Sequence, residues 1–355
     1  MNTAGFSMDI ETHIHLDGSR ELLTILLNLH RITHGTAREY PFNQYKWSEH
    51  LDQVRRWFGN PLKGDIVKKF SLTTGVLQNS DTLYLAAYNF TTMRARKGFR
   101  YCEAIMAPQY STFGGLTEKQ VVEALIMGIK DAEKSYPEIE VNLLLAVGRE
   151  VSPEEAVRLV GIYSECDRDY VVGVTLVCDE AKHPPEKHLI MYQTAKERGL
   201  NKACHVSEWV HDPEAQEADL KRDLPQLMKN ARTALIDLGI ERAEHFRILG
   251  YSAELMELTA DLNVGVTMCP GSYLSTELIR DVKFLRIDSL LDRNLPVSLH
   301  SDDDLFMPNM SEMLDHCDRA YKFTDEQKFK LRLNAWKTRF GKRKPVPQDI
   351  AHLLQ

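Results

Sequence analysis

Polar and apolar positions along this chain alternate between two periods. Short runs rich in β-branched and apolar residues recur: DIETHIHL, RYCEAIM, VNLLLAV, YVVGVTLV, KACHVS, RAEHFRI, VGVTMCP and PVSLHSD. Their composition predicts eight β-strands. Between most of them lie longer segments with apolar residues three and four apart, such as TEKQVVEALIMGIKDAEKSY, SPEEAVRLVGIYSECDR and SAELMELTADLN. The last two open on a Ser at the N-cap position with Glu in the first turn, which predicts where those helices start. Eight strands alternating with helices predict a parallel sheet, and eight is the number that closes a (β/α)8 TIM barrel. The pattern is interrupted between the first and second strands, where ELLTILLNLHR and LYLAAYNFTTMRARKG read as helices. A helical cap over one barrel face, at about residues 20–97, accounts for them. No Pro/Gly/Ser linker, internal repeat or low-complexity segment divides the chain, so residues 1–355 are expected to form one domain.

Composition narrows the function. The 355 residues carry a formal charge of −7 with both signs interspersed, so electrostatics give no reason to expect nucleic acid or an anionic membrane as partner. The KTRFGKRK run near the C-terminus is expected to be a solvated tail. None of the six cysteines forms a CxxC, and several lie in apolar runs, which fits buried reduced thiols in an intracellular protein. The N-terminus does not resemble a signal peptide, and no apolar run approaches membrane-spanning length. A soluble cytoplasmic protein is expected, with NFT and NMS as chance glycosylation matches.

Chemistry-bearing residues gather at strand ends. The first strand supplies His13, His15 and Asp17, the fifth His205 and Glu208, the sixth His245, and the eighth Asp302, Asp303 and Asp304. Barrel enzymes place their chemistry at these carboxyl ends. Residues at i and i+2 of a strand face the same way, so His13 and His15 can point inward together as half of a divalent metal site. His205 and one carboxylate from the last strand would complete an N3O set, which suits zinc. An open position on such an ion lowers the pKa of a bound water, and His245, Glu208 and Asp303 are available to manage the charge. Taken singly, a buried histidine is more often a satisfied core residue, and an acidic run more often a solvated turn. The joint placement at consecutive β units carries the argument. The PCxxC signature of cytidine-type zinc deaminases is absent. VVGVTLVCDE also lacks the bridging Lys of binuclear barrels, so one metal per chain is expected.

These blocks resemble the adenosine deaminases of the amidohydrolase superfamily, in motif order and over nearly the whole chain. THIHLDGS is similar to that family's first metal motif, and FRYCEAIMAP, VVGVTLVCDE, CHVSE, RAEHF, MCPGSYL and VSLHSDD to its later blocks. The resemblance implies one zinc per chain held by His13, His15, His205 and Asp302, and a small-molecule purine as substrate. Glu208 would protonate ring nitrogen N1 as water adds to C6, which requires a raised pKa. His245 would orient or deprotonate the water, and Asp303 would hydrogen-bond the water or N7. Asp17 would lie near a ribose hydroxyl and disfavour a 5′-phosphate. Departures from the family pattern fall around this set. HAGE is HVSE here, putting Ser207 at a glycine, and DLAGDE is TLVCDE, putting Thr175 at the aspartate and Cys178 at the glycine whose amide approaches N3. EVR is EAI, GHG is EHF, and Asp304 replaces a proline. A side chain in place of such a glycine is expected to narrow or reshape the pocket. Deamination of an adenosine-like purine nucleoside is the expected activity. The same chemistry on a free aminopurine or an N6-substituted or otherwise modified purine nucleoside is the nearest alternative. A non-catalytic metal-binding barrel is a reading of a different class.

Overall fold

The computed structural model describes residues 6–22, 66–209 and 220–354. Eight parallel strands run in chain order: β1 (Ile10–His15), β2 (Tyr101–Met106), β3 (Glu140–Gly148), β4 (Val171–Val177), β5 (Asn201–Val206), β6 (Arg242–His245), β7 (Gly265–Met268) and β8 (Val297–Leu299). The last closes onto the first just past its end. His15 N donates to Asp302 O at 3.0 Å and Asp302 N to His13 O at 3.2 Å. Around the strands lie α1 (Ile66–Val76), α2 (Ser80–Arg96), α3 (Glu118–Ser135), α4 (Pro153–Ser164), α5 (Leu189–Glu197) and α6 (Leu220–Ile236). They are followed by α7 (Ala253–Asp261), α8 (Pro270–Ser275), α9 (Ile287–Asp292), α10 (Met310–Tyr321), α11 (Asp325–Thr338) and α12 (Gln348–Ala351). This is the (β/α)8 barrel that the alternation predicts. Ser152 and Ser252 cap α4 and α7 by accepting from Glu155 N and Leu255 N. Helices α1 and α2 belong to the insert between β1 and β2, while most of the ELLTILLNLHR run lies outside the described residues. No helix among the described residues is long and apolar enough to cross a membrane.

Three features of the barrel prepare the site. Strands β4 and β5 pair only at their beginnings, through Gly173–Asn201 and Val174–Lys202, then separate. The β5 carbonyls left over need other donors: Tyr192 OH serves Ala203 O at 2.5 Å, and Arg149 serves His205 O. Ile105, Leu144, Ala146, Val177 and Ala203 from β2 to β5 form a small apolar cluster of their own. The KTRFGKRK run is not a solvated tail. Phe340 N donates to Glu103 (2.6 Å), Gly341 N to Tyr101 OH (2.6 Å), and Lys344 N to Glu140 (2.7 Å), so the run seals the barrel floor. Gly341 is needed there, since a Cβ would sit 2.0 Å from Asn142 Nδ2. Buried carboxylates with too few partners recruit that backbone, which no local pattern announces. Five of the six cysteines are buried; Cys178 is exposed.

Candidate active site

The predicted metal ligands converge at the carboxyl ends of the strands. His13 Nε2 and His15 Nε2 each lie 3.5 Å from Asp302 Oδ1, and His15 Nε2 lies 3.1 Å from His205 Nε2. With ligand bonds of 2.0–2.1 Å, the edge of a tetrahedron around zinc is about 3.3 Å. These separations match donors sharing an ion, with His13, His15 and Asp302 forming one candidate trio and His13, His205 and His245 another. Without a cation, imidazole lone pairs and a carboxylate would face one another at that distance. Nε2 of His13 is buried with no hydrogen-bond partner among the described residues, an orphan that an ion would satisfy. Burial lowers His15 to about 3 and also lowers His205, keeping both imidazoles neutral and fit to ligate. Burial alone would raise Asp302, but His13, His245 and His15 hold it well below the usual carboxylate range. The residues present fit a divalent metal.

Polar groups lie behind two of the candidate ligands. His13 Nδ1 lies 3.0 Å from Thr267 Oγ1, and His205 Nδ1 lies 2.8 Å from Glu244 Oε2. Carboxylates and hydroxyls in this position fix the tautomer of a ligating histidine. The sequence reading did not single out Glu244, although an acid inside an apolar strand requires a buried partner and was a signal.

Beside the donors stand His245 and Glu208, with His245 Nε2 3.6 Å from Glu208 Oε2. His245 has φ 69° and Phe246 φ 52°, a left-handed turn that breaks strand alternation. The turn brings the His245 ring within 4.7 Å of His13 and 4.9 Å of His205, centroid to centroid. Burial drives His245 well below its ordinary value, so the ring is neutral. Burial, with Asp302 and Glu180 nearby, raises Glu208 to about 8. Glu180 is a second residue that the sequence reading passed over, though it lies in the quoted TLVCDE block. Its carboxylate accepts from Ser207 N and Glu208 N, both at 3.1 Å, and from Asn230 Nδ2 at 2.8 Å. It holds in place the turn that carries Glu208, and Arg247 Nε adds a bond to Glu208 O at 2.6 Å.

Two further carboxylates have free buried oxygens. Asp17 Oδ1 and Asp303 Oδ1 have no hydrogen-bond partner among the described residues. Burial raises Asp17 to about 7, and burial with Asp302, Asp17 and Glu208 raises Asp303 well above its ordinary value. Gly18 allows Asp303 its position, because a Cβ there would lie 1.9 Å from Asp303 Oδ1. Phe70 of α1 stacks edge-on to His15 at 6.2 Å and to Phe306 at 5.2 Å, walling this side.

The departures from the family pattern sort differently from the expectation of a narrowed pocket. Ser207 keeps the left-handed backbone of a glycine (φ 56°), but its hydroxyl turns away to Leu227 O at 3.0 Å. Asp304 also points away, to Arg94 at 2.9 Å, in a buried cluster where the same guanidinium binds Glu11 (2.8 Å) and Glu21 (3.3 Å). Cys178 stands apart from the metal cluster, at φ 76°, with Sγ 3.6 Å from Tyr110 OH, which also bonds Glu150.

A (β/α)8 barrel with a histidine and aspartate cluster at its strand ends that could hold a metal ion, and a protonatable acid beside it, suits hydrolytic chemistry. The model of the adenosine deaminase family matches residues 9–348, and the chain belongs to that family. It is thus a hydrolase of C–N bonds, a purine deaminase. It is 26% identical to an adenosine deaminase of Clostridium botulinum over 294 residues, 83% of this chain and 81% of that one. Two solved structures share the fold at 20% identity over 98% of this chain. One is an adenine deaminase from Arthrobacter aurescens (TM-score 0.76, 97% of that chain). The other is an amidohydrolase from Burkholderia ambifaria with bound Zn (TM-score 0.75, 88% of that chain).

Proposed function

We propose that this protein hydrolyses the exocyclic amine of an adenosine-like nucleoside, giving the 6-oxopurine and ammonia, with one zinc ion held by His13, His15, His205 and Asp302. The observation that carries the reading is the convergence of these donors beside Glu208 and His245. An N3O set favours zinc, which when bound would polarise a water and bring its pKa towards neutrality. Glu208, raised to about 8, holds a proton at neutral pH and delivers it to ring nitrogen N1. Protonation there makes C6 electrophilic. His245, neutral and with an unpartnered Nδ1, takes a proton from the attacking water and passes it to the departing amine. Asp303 directs its free Oδ1 at the water or at N7. Asp17 directs its own at a sugar hydroxyl, where a neutral group fits and a phosphate does not. The left-handed backbone at Cys178 leaves its amide able to approach N3.

A second reading keeps the chemistry and changes the purine. Cys178, unlike Ser207 and Asp304, has its side chain beside Tyr110 and Glu150, where it would bear on the substrate's outer portion. A panel of adenosine, 2′-deoxyadenosine, adenine, N6-methyladenosine and AMP, followed by ammonia or methylamine release, separates the readings. Highest kcat/KM on the unmodified nucleosides supports the first, and preference for adenine or the N6-methylated compound supports the second. Failure on every aminopurine, with zinc present, refutes both.

A further inference from the structure

Among the proposed ligands in the described residues, His205 has a carboxylate behind it, and that carboxylate comes from the neighbouring strand β6. Glu244 precedes His245 on β6 and is fully buried. One of its oxygens, Oε2, lies 2.8 Å from His205 Nδ1 and accepts a 2.5 Å hydrogen bond from Thr175 Oγ1 on β4. The other, Oε1, lies 3.4 Å from Arg242 Nη2. Arg242 is in turn paired with Glu103 at 2.6 Å and packed over Phe340 at 4.1 Å. The carboxylate is thus clamped from three sides, with one oxygen aimed at the imidazole.

Thr175 lies on β4 and Glu244 on β6, on either side of His205 on β5. Thr175 Oγ1 is 3.4 Å from the same His205 Nδ1. A carboxylate at position 175, one bond longer than the hydroxyl, would therefore reach that nitrogen too. Two carboxylates cannot both occupy one N–H in a buried site without strong like-charge repulsion. One carboxylate, from β6 or from β4, can therefore serve this nitrogen, but not both.

We propose that Glu244 is the positioning residue for His205, and that a carboxylate at position 175 on β4 could fill the same role from the other side. Glu244 keeps His205 as the tautomer with its proton on Nδ1 and its lone pair on Nε2, aimed at the metal. Thr175 donates to that carboxylate and holds it on the imidazole. This rests on the assignment of His205 as a metal ligand.

The test is zinc affinity of the apoprotein, measured by competition with a chromophoric chelator, with thermal melts on every variant. Wild type, Glu244→Gln and the double variant Thr175→Asp/Glu244→Gln are compared. Loss of such an outer partner costs roughly 10–100-fold in metal affinity, so E244Q should bind zinc that much more weakly. The double variant should return to within a few-fold of wild type, because the aspartate introduced on β4 again places a carboxylate on Nδ1. Wild-type affinity in E244Q overturns the assignment, as does a folded double variant that binds no better than E244Q. Should E244Q fail to fold, the folded double variant is judged against wild type, where affinity within a few-fold supports the assignment and a loss of about tenfold or more overturns it. Wild-type protein that takes up no zinc would instead sink the underlying ligand assignment, whatever the variants do.

Discussion

Replacing Glu208 by Gln removes one titrating proton while keeping the shape of the side chain. Burial, reinforced by Asp302 and Glu180, raises Glu208 to about 8. A group with that value is roughly nine-tenths protonated at pH 7 and about one-tenth protonated at pH 9. The protonated form is the active one if Glu208 supplies the proton to N1, so activity is lost as pH rises. The rate should be level up to neutrality, halve near pH 8 and then fall about tenfold per unit. Gln cannot donate an acidic proton, so kcat should drop roughly 10²–10⁴-fold, or about 3–5 kcal/mol of barrier. The assay is ammonia release across neutral and alkaline pH for wild type and E208Q, with metal content measured in parallel. A metal-loaded E208Q within tenfold of wild type, or one that keeps the alkaline limb, would refute the assignment of Glu208 as the acid.

Other outcomes follow from the same geometry. Purified protein should hold about one zinc per chain, and His13→Ala and His205→Ala should each lose it by elemental analysis; two metals per chain would point to a binuclear site. Arg94→Met leaves Glu11, Glu21 and Asp304 without their shared guanidinium. Lys97 still serves Glu21 and Ser301 still serves Glu11, so the loss should sit at the low end for a broken buried pair, about 3 kcal/mol by denaturant melt; a change below about 1 kcal/mol would mean the cluster is slack. Gly18→Ala drives a methyl into Asp303, so kcat/KM should fall by at least about tenfold with zinc content unchanged, and wild-type kinetics would show that Asp303 is free to move.

Much of this protein is decided within short windows of sequence. Apolar β-rich runs mark all eight strands and helical spacing marks several of the helices, because these patterns are local. His13 and His15 are legible as a pair for the same reason, and the placement of His205, Glu208, His245 and Asp302 at strand ends follows once the strands are marked. Motif order then suffices to recognise the family and its chemistry.

Tertiary structure decided the rest, and the common cause is that buried charge is satisfied through space. Glu244 became the partner of His205 only when β5 and β6 lay side by side. Asp304 read as a change in the pocket until Arg94 from α2 claimed it, and Ser207 until its hydroxyl found Leu227 O. His245 needed a left-handed turn, which alternation alone contradicts, before it could face the other histidines. The basic KTRFGKRK run looked solvated until Glu103 and Glu140 drew its backbone into the barrel floor. A residue's chemistry is local, but the partner that makes a buried charge tolerable is chosen by the whole fold.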